Sequence, residues 1–125
     1  MADPRGRELI IKLNEKDASR LVRVPAVGGA AEPVRIAGDL RLTNMPLAPA
    51  AIDAQGRMIV ETASPDSWFF HAGLLDLATG KLTRVPVAFE GDIWSPGWTS
   101  DGRIVAIGGA VEAAIWRFRT AVQAR

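Results

Sequence analysis

The chain has 125 residues, room for one domain, and its 48% hydrophobic and 23% charged residues match a chain that folds rather than one that stays disordered. Lys and Arg number 15 against 14 Asp and Glu, so the formal net charge is only +1 and no basic block stands out, which argues against nucleic acid as a partner. Cysteine is absent and histidine occurs once, which excludes disulfides, thiol nucleophiles and thiolate metal sites and leaves no cofactor to expect.

Residues 1–7 (MADPRGR) do not read as a signal peptide, and the apolar runs are far shorter than the roughly 18 residues of a membrane span, so a soluble chain without a span is expected. The first turn cluster, Asp3-Pro4-Arg5-Gly6-Arg7, opens the apolar run Glu8-Leu9-Ile10-Ile11. The same device returns as Asp53-Ala54-Gln55-Gly56-Arg57 before Met58-Ile59-Val60, and as Ser100-Asp101-Gly102-Arg103 before Ile104-Val105-Ala106-Ile107. An Asp/Gly cluster followed by β-branched residues predicts a turn that enters a strand, because glycine tolerates the positive φ of the bend. A second run follows in each copy and contains an apolar-charged-apolar triplet: Val22-Arg23-Val24, Leu75-Asp76-Leu77 and Trp116-Arg117-Phe118. Alternation with period two predicts half-buried strands there.

With four strands of one unit labelled a to d, the middle copy is complete: a at 50–53, b at 57–62, c at 68–77 and d at 81–87. The first copy is expected to lack strand a and to give b-c-d, with d at 33–36; the last gives a-b-c and ends on strand c at 114–119. The expected organisation is a single domain over 1–125 with units at 3–40, 46–90 and 93–121. Pro-rich links such as Met45-Pro46-Leu47-Ala48-Pro49 separate the units, and no long helix is predicted.

Four-stranded repeats of this length resemble β-propeller blades. The run Trp98-Thr99-Ser100-Asp101-Gly102-Arg103 is similar to the Trp-Ser-Pro-Asp-Gly-Lys/Arg turn of TolB-type, WD40-like bacterial propellers, and Leu75-Asp76-Leu77-Ala78-Thr79-Gly80-Lys81-Leu82 resembles their passage from strand c to strand d. The fold class implied is all-β, a partial β-propeller of two to three four-stranded antiparallel blades. The run 39–47 and the ending Ile115-Trp116-Arg117-Phe118 also look like the closing blades of propellers in bacterial receptor-like serine/threonine kinases, and related propellers precede serine peptidase domains. No kinase loops and no Gly-x-Ser-x-Gly elbow occur here, so the chain is not expected to be an enzyme itself. What the resemblance implies is a non-catalytic segment that recognises or scaffolds a protein or small ligand. It would belong to a larger extracytoplasmic sensor or secreted protein, serve as the regulatory propeller of a kinase or peptidase, or complete its ring by self-association.

Four residues are recognition candidates: Trp94 and Trp98, which flank a Ser-Pro-Gly segment expected to surface, with Trp68 and His71. Packing between sheets is the favoured reading for the large rings. Ser64, Asp66 and His71 lie close in sequence but read as a loop leading into strand c, since a triad requires spatial contact that sequence proximity does not supply. The turn residues Gly6, Arg7, Gly56, Arg57, Gly102 and Arg103 form a repeated set, each Arg being expected to cap its own turn, with an anion-attracting ring as the alternative.

Overall fold

A computed structural model describes residues 1–16, 18–110, 112 and 114–116. It is all-β: among the described residues nine strands form, and no helix is long and apolar enough to cross a membrane. The first sheet holds β1 (Glu8–Asn14), β2 (Ser19–Pro25) and β3 (Glu32–Pro33). The second holds β4 (Arg41–Leu42), β5 (Arg57–Ala63), β6 (His71–Asp76) and β7 (Leu82–Arg84), and the third pairs β8 (Asp92–Trp98) with β9 (Ile104–Gly109). Each sheet runs in chain order and every pairing between named strands is antiparallel. The chain is thus a succession of antiparallel meanders.

The three repeated turns share one pattern of hydrogen bonds at their start. The Gly56 N–H donates to the Asp53 carbonyl at 3.0 Å and the Arg57 N–H to Asp53 Oδ1 at 2.8 Å. Likewise Gly6 donates to the Asp3 carbonyl and Arg7 to Asp3 Oδ1, while Gly102 donates to the Thr99 carbonyl and Arg103 to Thr99 Oγ1. Thr99 is therefore the third copy's counterpart of the aspartate, a hydroxyl doing the work of a carboxylate. The three glycines have φ of 64°, 80° and 79°, the left-handed region that lets the hairpin loop close.

Four expectations need correction. The first sheet does keep a stub of strand a: Ala2 bridges Leu9, and Ile10 exchanges hydrogen bonds with Met1. Strand d of that sheet is only Glu32–Pro33, because the chain then leaves, and Ala37 instead pairs in parallel with Lys81 on the second sheet. Strand a of the second sheet is split, Arg41–Leu42 pairing with Thr62 and Ala63, and Ile52 bridging Met58, with the Pro-rich segment 45–49 looped out between them. In the third copy residues 114–116 are not strand, and 117–119 of the expected strand c lie outside the described residues.

The core sits on both sides of β5. Met58 and Val60 share one face with Leu42, Leu75 and Leu82; Ile59 shares the other with Ala72, and all of these are buried. Ile10, Leu21 and Val34 of the first sheet belong to the same cluster, as does Ile93 of β8. Inward-facing groups of the first sheet tie it to the second: Arg23 Nη2 donates to the Leu77 carbonyl at 2.9 Å, and Asn14 Nδ2 to the Asn44 carbonyl at 2.8 Å.

Gly56 has nothing within 4 Å of the place a Cβ would occupy, so Gly56→Ala tests backbone conformation alone. The left-handed φ is expected to cost about 1 kcal/mol, seen as a melting-temperature drop of roughly 3–5 °C.

Candidate functional site

The turns between first and second strands lie along one rim, with a groove between each neighbouring pair. Asp3, Arg5, Arg7, Gln55, Gly56 and Leu77 bound the first, of about 230 Å³. The second, of about 630 Å³, runs between the Asp53 and Thr99 turns and is lined by Ile52, Gln55, Arg57, Trp98, Ser100 and Asp101. The Arg57 guanidinium lies over the Trp98 ring, 5.1 Å from its centroid, while Arg57 Nε donates to Asp53 Oδ2 at 2.6 Å. Arg103 likewise pairs with Asp101. Because Arg57 is held by its own carboxylate, the wall it builds with Trp98 is a flat indole and guanidinium surface rather than an anion trap. Such a wall can stack a planar or sugar ring.

Sequence candidates fall in different places. Trp98 is partly buried against the core, and its Nε1 is buried without a partner. Trp94 does not sit in a surface loop: 94–98 is part of β8, and Ser95, at φ 48°, and Pro96 form a bulge opposite β9. Trp94 is half-buried and lies over Gly109, where a Cβ would stand 2.4 Å from its ring. Trp68 precedes β6 rather than forming part of it and is 99% exposed. His71 opens β6 and is buried; Arg84 Nη2 is 3.2 Å from its Nδ1, so the neutral ring carries its proton on Nε2, which has no partner. Burial, then the nearby Arg84 charge, pushes its pKa down. The Ser64 hydroxyl donates to Asp66, so Ser64, Asp66 and His71 do not form the relay of a nucleophilic triad.

One residue escaped the sequence reading. Glu61, on β5 opposite Ala72, is buried, and neither carboxylate oxygen has a hydrogen-bond partner in the protein. Burial raises its pKa; the Thr43 hydroxyl, the Ser95 amide and the Lys12 ammonium, none in hydrogen-bonding geometry, ease the charge, and Asp92 opposes it. Its signal in the sequence was a lone charge closing the apolar run Met58-Ile59-Val60. No group of three or more His, Asp or Glu side chains able to hold a metal occurs among the described residues.

Searches of family models, curated proteins and solved structures each found no match to the chain.

Trp98→Ala is expected to destabilise by about 2–3 kcal/mol, while Trp68→Ala stays within roughly 0.5 kcal/mol of the parent, both read from denaturant unfolding. For Glu61→Gln the prediction is a pH dependence. A carboxyl whose folded pKa is raised stabilises fully below its unfolded value, ordinarily 4.5, and this stabilisation is lost as pH rises through the folded value. The Gln variant should therefore gain on the parent as pH climbs from about 4.5 toward 8. Asp3, Asp66, Asp76 and Asp101 are held low chiefly by the Glu8 amide, the Ser64 hydroxyl, the Thr79 amide and the Arg103 side chain. They act in the opposite sense but are common to both proteins, so the difference in melting temperature isolates Glu61. A constant difference across that range would contradict the burial argument.

Proposed function

We propose that the chain is a run of TolB-type, WD40-like propeller blades, from a larger sensor or secreted protein, that works without catalysis. It recognises or scaffolds a protein by docking through its uncovered end sheet. The observation that carries this reading is β9: Ile104, Val105, Ala106 and Ile107 are all exposed, and the strand contains no charge. Among the described residues β9 is an edge strand, and an apolar, uncharged edge is an association surface, since natural edges that face water are blunted by charges, prolines or bulges. The three matching turns support the blade reading, because they make each sheet a copy of one unit. A non-catalytic role is supported by the engagement of His71 with Arg84 and its burial.

The test is the double variant Val105→Lys and Ile107→Lys. A docking face contributes little to the fold of the chain itself, so unfolding in dilute solution should shift by no more than about 0.5 kcal/mol while binding of an apolar fluorescent dye falls. Destabilisation of core size, about 2 kcal/mol or more, would show that the face supports the fold and sink the docking reading.

A further inference from the structure

The pairings Ala2↔Leu9, Ile52↔Met58 and Trp98↔Ile104 make Leu9, Met58 and Ile104 structurally equivalent. The first turn reaches that register with one residue more than the others, since Asp3 N donates to the Glu8 carbonyl where Asp53 donates to Arg57 and Thr99 to Arg103. Alternation then sorts the second strands into two faces. On β5, Ile59 and Glu61 share the face of Arg57, which looks toward Trp98 of the third sheet. Met58 and Val60 look the other way, toward the first sheet, whose matching inward residue is Ile10.

Between the first and second sheets the Ile10 type of face meets the Met58/Val60 type; the Ile59 face of the second sheet meets the third through Ile93 and Trp98 of β8. On the first and second sheets the positions that meet a neighbour, Ile10, Met58, Ile59 and Val60, are 0–2% exposed, whereas Ile104 of β9 stays 36% exposed. At the two ends the corresponding residues are open: Leu9 and Ile11 at 39% each on the first sheet, Val105 at 55% and Ile107 at 60% on the third. The end faces are the two unmatched halves of the contact that the chain already makes internally.

We infer that a second copy of this chain docks head to tail, the Val105/Ile107 face of one copy covering the Leu9/Ile11 face of the next as the internal sheets cover one another. This rests on the blade reading above. A copy of the chain is the occupant because it alone is shown to carry both halves. The Val105/Ile107 positions carry no charge, and the charge on the Leu9/Ile11 face, Arg20 opposite Leu13, is already paired with Glu15, so no unpaired charge opposes the contact. Two copies supply six sheets, within the roughly 4–8 of closed rings, and a contact between unlike faces either closes such a ring or propagates as a filament.

Light scattering on the 125-residue chain is expected to give twice the monomer mass. Leu9→Lys with Ile11→Lys, and separately Val105→Lys with Ile107→Lys, should each halve it to the monomer. Mixing the two variants should restore a dimer through the one junction left intact. Since the chain has no cysteine, an independent check that does not depend on lysine tolerance uses Ile11→Cys and Ile107→Cys: a short bis-maleimide should link the mixture and leave each variant alone unlinked. A wild-type monomer at high micromolar concentration overturns the proposal. So does a dimer dissociated by only one of the lysine pairs, which would be a like-to-like contact. In either case the docking reading stands if the Val105→Lys, Ile107→Lys variant still lowers dye binding at unchanged stability, and falls if it unfolds.

Discussion

The length of the turn between first and second strands governs the rest of the structure. Side chains alternate across a strand with period two, so the number of residues in that turn decides which of them face the preceding sheet and which face the following one. In the second and third sheets the aspartate or threonine pairs with the arginine four positions on; in the first it pairs with Glu8, five positions on. That single extra residue rotates the strand so that Ile10, and not Leu9, is buried. Without it Leu9 and Ile11 would point inward and Ile10 outward.

The constraint also explains why β5 is buried nearly throughout while its counterparts are not equally covered. A strand between two neighbours has no solvent face, so Met58, Ile59 and Val60 are buried in succession. Glu61 is the departure, placed where β8 bulges at Ser95 and Pro96. A bulge inserts a residue, re-aims the chain and turns an amide toward the neighbouring sheet. Here the Ser95 amide is one of the few groups that eases the Glu61 carboxylate, although it does not bond to it. The join between the second and third sheets is therefore apolar at Ile93, stacked at Trp98 and left polar and unsatisfied at Glu61.

Much of this was legible in the residues, for a local reason. Turn chemistry is set by neighbours in sequence, so Gly6, Gly56 and Gly102 marked all three bends, apolar β-branched runs marked the strands that follow them, and period two marked β2 and β6. What needed tertiary information was less legible. The repeated Gly-Arg pair suggested that Arg7, Arg57 and Arg103 are equivalent, but the longer first turn puts Glu8 in the register place that Arg57 and Arg103 hold. Trp94 sits beside a Ser-Pro-Gly run that reads as a loop, yet a bulge lets proline enter a strand without losing a ladder bond. The fate of each aromatic ring depended on which sheet covers it: Trp98 packs beneath Arg57, whereas Trp68, in the loop before β6, meets nothing. Ala37 crossing to pair with Lys81 carried no sequence signal at all.

A stack of sheets packed largely through their faces has a property that a closed barrel or a sandwich lacks: its ends are made of the same kind of surface as its interior. The residue types that bury well between two sheets, isoleucine, valine and leucine, are then selected at every repeat, including those that end the stack. Charge on Val105 or Ile107 would solubilise the end, as edge strands elsewhere are protected. The sequence instead keeps β9 free of charge while placing Lys12 and Glu61 at the corresponding positions of the covered sheets. Apolar character is thus greatest where no neighbour is present, the reverse of what solubility alone would favour. An end that remains apolar under those conditions is best understood as half of a contact, and the surface that fits it is the one the chain repeats inside itself.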